Sequence, residues 1–479
     1  GRRIEVDNRI DWQSTGVSLK AAFPLAAANP EASYSLNTAV VERGNNDSLK
    51  FEVPSREWFD LTDRSGRFGV SVLEDCRYGS DKPDDNTLRL TLMYTPEANV
   101  PRFTYQATQD FGIHDVKYAL YGHEGGWDNG TPWQAKFLNQ PLLTFATERH
   151  DGDRGRRIAL AVPSTGQIDI MAFKKMEEGP YYVVRVNELF GKACDGATIE
   201  FPSAVAEAFE VDGQERRIGK ATVRNGKLTF DIGKFGIRSF AVRFADTSAP
   251  AKPVQEQLLL AYDADILSDD AVRSDGRMGR SEQTLPAEML PDTITSEGID
   301  FAIRGREKGA DNAVECRGQQ ITLPAGDYDR IYLLAAAEEE AAGCFEVDGA
   351  EQWLNIAKWK GFVGQHYAQT IVPDSTAYKT LAVDNPYLRK DPIAWFASHC
   401  HAPKRNIAYQ YCYLYKYGLD IVPGAKTLTL PDNPGIKIVA VTVAKEGVRT
   451  LPLTPLYDDF DDYPVFRWRN RPKFDLSHR

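Results

Sequence analysis

The sequence predicts a mainly β chain of antiparallel β-sandwich domains, and three observations lead there. Short runs of alternating apolar and polar residues recur along the 479 residues. Glycine and proline, 37 and 27 residues, fall in small clusters between those runs and supply turns. Few segments keep a helical period for more than two turns.

Taken in order, "RRIEVDNRIDW" (residues 2–12) alternates from the outset, with Ile4 and Val6 on one face. Neither an initiator Met nor a leader precedes it, so this strand reads as the continuation of a longer chain. "SAVAEAFEVDG" (203–213) is ambiguous between helix and strand. "ATVRNGKLTFDI" (221–232) carries Asn225-Gly226 between two strand-like runs, the signal of a type I′ hairpin. "RSFAVRF" (238–244) then alternates Phe240, Val242 and Phe244.

Within "ADTSAPAKPVQEQ" (245–257) Ala, Pro, Ser and charge replace that alternation. The expected organisation is therefore a β-sandwich region over 1–248, a linker at 249–256 and an accessory β-sandwich region over 257–479. In the latter, "RIYLLAAA" (330–337) and "GIKIVAVTV" (435–443) read as buried strands, with "LPAGDYD" and "PDNPG" as turns. "LLAAAEEEAAG" (333–343) has helix-forming residues but continues strand-like "IYLL". No internal repeat is found.

A formal charge of -11 argues against a nucleic-acid partner, which needs a basic stripe. No stretch reaches the roughly 18 apolar residues of a membrane span. Six widely spaced cysteines (76, 194, 316, 344, 400 and 412) argue against a disulfide scaffold and leave the compartment open, periplasm or cytoplasm.

Three features carry candidate chemistry. "SHCHAPKRN" (398–406) sets His399, Cys400 and His401 in a row. On a strand the two histidines share a face and the thiol points away, and no second ligand cluster stands near them in sequence. The expected reading is packing, with no metal site. "RYGSDKPDDN" (77–86) clusters Asp81, Asp84, Asp85 and Asn86 but lacks the glycine and terminal glutamate of an EF-hand, and reads as a hairpin tip; the acidic "YDDFDDYP" (457–464) meets the same objection. Trp127 and Trp133 in "WDNGTPWQ", and Trp353 and Trp359 in "QWLNIAKWKGF", lie beside polar residues and are candidate sugar-stacking faces. No nucleophile, metalloprotease, Walker or dinucleotide motif is present.

Several stretches in one order are more specific. "DWQSTGVSLKAAFPL" (11–25), "FEVPSREWFDLTD" (51–63), "FGVSVLEDCRYGSD" (68–81), "LRLTLMYTP" (88–96) and "FGIHDVKYALYGHEGGW" (111–127) together resemble the C-terminal β-region of glycoside hydrolase family 38 α-mannosidases, in their bacterial and cytosolic branch. The resemblance is close to about residue 135 and looser to Phe244. Residues 256–479 are similar to the extra C-terminal β-region of large bacterial members, "NAVECRGQQITLPAGDYDRIYLLAAA" most of all.

The resemblance implies a full-length retaining exo-α-mannosidase with an N-terminal barrel and bundle that hold the catalytic aspartate and a zinc ion. No residue of this chain matches those motifs, so no catalytic or zinc-binding residue is carried over, and the chain alone is expected to be inactive. Its partners would be α-mannoside glycans and the N-terminal catalytic domains, with homo-oligomerisation left open. In "LEDCRYG", Asp75, Arg77 and Tyr78, with Arg89 in "LRLTL", are candidates for a pocket wall or an inter-domain contact. His114 and His123 are weighed beside them, with packing the leading reading. The alternative function is a carbohydrate-binding or scaffolding module without hydrolase activity.

Overall fold

The computed structural model describes residues 2–14, 16–95, 112–150, 155–246, 252–365, 368–373, 378–384, 387–446 and 450–456, with backbone only for 368–373 and 378–384. The acidic run 457–464 and the core of the predicted linker lie outside the described residues. The chain forms two compact units. One comprises Gly1–Leu142 and Asp151–Ser248; the other comprises Leu143–His150 and the described chain from residue 252 onward.

Unit one opens with β1 (Arg3–Trp12), β2 (Val17–Pro24), β3 (Glu31–Leu36), β4 (Ala39–Gly44) and β5 (Val53–Pro54). It continues through β6 (Trp58–Thr62), β7 (Phe68–Glu74), β8 (Gly79–Asp84), β9 (Thr87–Thr95) and β10 (Gly112–Glu124). One antiparallel sheet has the order β1-β10-β7-β6-β3-β4 and its companion the order β2-β9-β8-β5. Trp12, Tyr34, Phe59, Val72, Leu88, Leu90 and Tyr118 bury their side chains between the sheets, as the period-2 pattern requires. Val6 and Ile10 follow that face, whereas Ile4 on the edge strand is 65% exposed.

On the outer face of the first sheet lies α1 (Thr131–Asn139), a helix the sequence reading does not foresee. Nine residues are too few for a 3.6 period to stand out. Pro132 at its start fixes a helical φ, and Ala135 and Leu138 pack on Trp58, Leu73, Ala119 and Tyr121.

After β11 (Phe145–Thr147), which belongs to unit two, the chain re-enters unit one for a second sandwich. Its strands are β12 (Val162–Pro163), β13 (Ile168–Lys175), β14 (Tyr182–Glu188), β15 (Cys194–Glu200) and β16 (Val205–Val211), then β17 (Arg217–Lys220), β18 (Thr222–Arg224), β19 (Lys227–Ile232) and β20 (Ile237–Phe244). The sheets run β12-β15-β19-β18 and β13-β14-β20-β16-β17. The ambiguous segment 203–213 is strand β16. The Asn225-Gly226 hairpin joins β18 to β19 with φ of 51° and 73°, both left-handed as a type I′ turn demands. A Cβ on Gly226 would also stand 2.8 Å from the Ala204 Cβ.

Unit two contains β21 (Val254–Gln257), β22 (Leu267–Ser268), β23 (Leu285–Pro286), β24 (Thr293–Ser296), β25 (Ile299–Ala302), β26 (Val314–Arg317) and β27 (Gln320–Thr322). It adds β28 (Arg330–Ala337), β29 (Ala341–Val347), β30 (Ala350–Ile356), and the short pairs of β31 (Gly364–Gln365) with β34 (Tyr387–Leu388) and β32 (Ala368–Pro373) with β33 (Tyr378–Asp384). Last come β35 (Ile393–Ala402), β36 (Arg405–Asp420), β37 (Thr427–Thr429), β38 (Asp432–Lys445) and β39 (Thr450–Pro452), which pairs with β11. The main sheet has the order β21-β38-β28-β36-β35, with β26 also on β38, and faces β27-β37-β29-β30. The two continuous apolar runs foreseen as buried strands are β28 and β38, side by side. Every residue of β28 after Arg330 is buried, so both faces of that strand are covered and its run need not alternate. "AAAEEEAAG" (335–343) is the end of β28, a turn at 338–340 and the start of β29, not a helix.

Candidate functional site

The polar turn between β7 and β8 places Asp75 and Arg77 in the wall of an open concavity of about 500 Å³, together with Asp7, Arg9, Asp115 and Lys117. Three carboxylates and three cations thus face one opening. The Arg77 Nη1 donates to the Cys76 carbonyl at 3.0 Å, while its buried Nε has no hydrogen-bond partner among the described residues. Tyr78 is half exposed, with the Arg56 guanidinium 6.0 Å from its ring centre. Cys76 is exposed, but its hydrogen bond with Asp75, then burial, pushes the thiol up, away from a reactive thiolate.

Arg89 is not part of that opening. It pairs across the β8–β9 ladder with Asp81, whose side chain is fully buried. The Arg89 Nε donates to both carboxylate oxygens at 3.1 Å, its Nη2 reaches Oδ2, Lys20 Nζ donates at 3.0 Å, and Asn46 Nδ2 at 2.6 Å. Burial alone would raise the Asp81 carboxyl; the hydrogen bonds from Arg89, Asn46 and Lys20 hold it below the usual range instead. The remaining acids of this tip are also engaged, Asp84 by the Asn86 backbone N–H and Thr87, and Asp85 by Asn45 and Arg64.

Behind the turn, Glu74 is fully buried beside Ser55, whose hydroxyl donates to it at 3.3 Å. Burial, opposed by that hydroxyl and reinforced by the Glu57 carboxylate, pushes Glu74 up to about 8. The folded protein thus keeps this proton through neutral pH while the unfolded chain releases it near pH 4.5. The resulting stability is fully present below that value and is lost as pH rises to about 8. Glu74→Gln, which keeps a neutral side chain, is expected to abolish this loss: urea unfolding at pH 5 and pH 8 should differ less in the variant, by roughly 1–3 kcal/mol.

His123, a weighed candidate, is buried with Asp60. Its Nε2 lies 2.6 Å from Asp60 Oδ2, which also accepts from Ser71 Oγ at 2.8 Å, and Ser71 in turn meets Thr131 at 2.7 Å. Burial would lower the imidazole, but Asp60 raises it above its ordinary value. Ser71 bonds the carboxylate rather than the imidazole, so the trio lacks the connectivity of a nucleophilic triad. It ties β6, β7, β10 and α1 together. His114 lies on β10 opposite Ile10 of β1.

The four tryptophans separate. Trp127 is part-buried against Trp58, with ring centres 5.1 Å apart, and Trp133 is anchored by Nε1 to the Gly166 carbonyl at 2.7 Å. Trp353 on β30 is 67% exposed. Trp359, expected to offer a face, is 1% exposed and belongs to the core of unit two. It follows the end of β30, where its backbone bonds Ala337 and Tyr413 and turns the ring inward.

The His-Cys-His run lies on β35. His399 and His401 project from one face and Cys400 from the other, where its Sγ meets Gln410 at 3.4 Å. The sequence offers this pair no third donor; the structure supplies Glu288, in the short 3-10 turn Ala287–Met289. Glu288 Oε1 lies 3.3 Å from His399 Nε2 and 3.1 Å from His401 Nε2. Among the described residues this is the one trio of His, Cys, Asp or Glu whose donor atoms all lie within 4.8 Å of one another. All six cysteines are free.

Comparison with known proteins divides the chain likewise. Residues 1–102 match the glycosyl hydrolases family 38 C-terminal domain, and 167–240 the family 38 C-terminal β-sandwich domain. Residues 254–447 match the AziU2-like β-sandwich domain. Human alpha-mannosidase 2C1 is 27% identical over 49% of this chain and 23% of its own length. The alpha-mannosidase of Saccharomyces cerevisiae is 31% identical over 27% of this chain and 12% of its own. An alpha-mannosidase structure from Enterococcus faecalis shares 18% identity, with a TM-score of 0.40, over 50% of this chain and 27% of that one. The chain thus spans about a quarter or less of the curated relatives it matches.

Proposed function

Because its first unit carries the C-terminal β-domains of the family 38 glycosyl hydrolases, we propose that this chain serves as the β-portion of an α-mannosidase that hydrolyses terminal α-mannosides. The observation that carries the reading is the pair of family 38 matches, in order, with alpha-mannosidases as relatives over about half of the chain. In this reading the reaction is retaining, and its nucleophilic aspartate and zinc ligands come from outside the chain.

Among the described residues of 1–240 no three His, Cys, Asp or Glu donor atoms converge, so no step is assigned to a metal held there. What this unit offers is a wall. Asp75 and Arg77 line an open concavity, and the Arg77 guanidinium is a donor group suited to a sugar hydroxyl or a carboxylate from a neighbouring domain. Arg89 acts further back, locking the β8–β9 hairpin that carries the turn.

Incubating the chain alone with a chromogenic α-mannoside is expected to give no turnover. Robust, metal-dependent hydrolysis would overturn this division of labour. The exposed indole of Trp353 favours a second reading, a carbohydrate-binding module; saturable binding of mannose oligosaccharides that vanishes in Trp353→Ala would support it.

A further inference from the structure

Independently of the mannosidase reading, we infer that Glu288, His399 and His401 form a binding site for one zinc-class divalent cation, with its free coordination positions turned toward an adjoining cavity.

The backbone places the donors before any ion arrives. A register shift between Ala397 and His399 re-aims the end of β35. His401 is then fixed by a two-way bridge to Thr284, its N–H donating to the Thr284 carbonyl at 3.1 Å and its carbonyl accepting at 3.2 Å. Thr284 leads through β23 directly into the turn that carries Glu288, so carboxylate and imidazoles are held by one short stretch of paired chain.

The spacing fits a tetrahedral ion. Bonds of about 2.0–2.1 Å put neighbouring ligand atoms ~3.3 Å apart. The observed carboxylate-to-imidazole separations are 3.1 and 3.3 Å, and the two imidazole nitrogens lie within 4.8 Å of one another. Donor chemistry narrows the ion: two imidazoles and one carboxylate suit zinc and its transition-metal neighbours and disfavour calcium and magnesium, which take oxygen.

A metal ligand's other ring nitrogen needs an acceptor to fix its tautomer. His401 Nδ1 lies 2.9 Å from Ser268 Oγ, which is itself bonded to Thr284 Oγ1. Donation of Nδ1–H to Ser268 leaves the Nε2 lone pair aimed at the trio. His401 is fully buried, whereas the side chains of His399 and Glu288 are 19% and 34% exposed, so the site is closed on one side and open on the other. Asp270 Oδ1, 3.7 Å from His401 Nε2, is a nearby carboxylate already held by Arg273 and Asn406. On the open side Glu288 also lines a cavity of about 650 Å³ with Asp269, Asp292, Arg304, Arg306 and Glu307. Cys400 is excluded as a donor because it faces away, toward Gln410.

The test uses the full chain, stripped with a chelator and titrated with Zn²⁺ by calorimetry, with Co²⁺ as a spectroscopic stand-in. One ion per chain and visible bands of low-symmetry Co²⁺ are expected. Glu288→Gln and His399→Gln, both at part-exposed positions, should each weaken Zn²⁺ binding at least about tenfold, and Ser268→Ala about tenfold through the tautomer. Thermal melts of the metal-free variants report whether they fold. Absence of saturable binding at micromolar Zn²⁺ overturns the proposal. So does binding of unchanged strength in a folded Glu288→Gln/His399→Gln double variant, since the ion would then sit elsewhere.

Discussion

Asp81→Ala is expected to destabilise unit one by about 3 kcal/mol, read as a shift of its transition in urea or thermal unfolding. The reason is what remains. Lys20 and Arg89 lose the buried carboxylate that offsets their desolvation, and Asn46 loses an acceptor. The cost stays below the upper end for buried pairs because Arg89 keeps 35% and Lys20 19% of its side chain in water, where solvent recovers part of the charge. Arg89→Ala should cost less, since Lys20 and Asn46 still satisfy Asp81. An Asp81→Ala protein as stable as the parent would show the network to be electrostatically idle, and Arg89 would then be free for a role beyond the hairpin.

Trp359→Ala should cost unit two about 4 kcal/mol, the usual penalty for emptying a buried aromatic site. Trp353→Ala should change stability by no more than about 0.5 kcal/mol, because its ring is mostly in water already. The contrast bears on the sugar-binding reading. Loss of mannose-oligosaccharide binding in Trp359→Ala would report unfolding, whereas loss in Trp353→Ala, with the melt unchanged, would report a contact. Equal and small stability effects at both positions would contradict the burial of Trp359.

These residues also show where sequence reasoning reaches its limit. The β architecture was legible because the strands obey a period of two and because Asn225-Gly226 has one favourable geometry. The buried runs of β28 and β38 were legible from their unbroken apolar character. Trp353 and Trp359 looked alike because each has polar neighbours in sequence; what distinguishes them is that β30 ends at Ile356 and the following chain turns inward. Helix α1 was hidden by its shortness.

The His399–His401 face was legible for the same period-2 reason, but its third donor was not. Glu288 lies 113 positions from His401, one among 68 acidic residues, and only the Thr284–His401 bridge singles it out. Asp81 and Arg89 stood in quoted motifs as separate candidates, a calcium ligand and a pocket arginine. The structure joins them in one ion pair across the β8–β9 hairpin.

The path of the chain through residues 143–150 has a last consequence. Strand β11 lies in unit two, paired with β39 near the far end of the described chain, while the segments on either side of it belong to unit one. Among the described residues the polypeptide therefore passes from one body to the other three times, between 142 and 143, between 150 and 155, and between 246 and 252. A protease that cuts only between 246 and 252 leaves the second body stitched to the first by β11. Genetic dissection there would strand β11 in one fragment and β39 in the other. The matched segments at 1–102, 167–240 and 254–447 follow one another along the chain, but the folded bodies are not separable by a single cut between the last two.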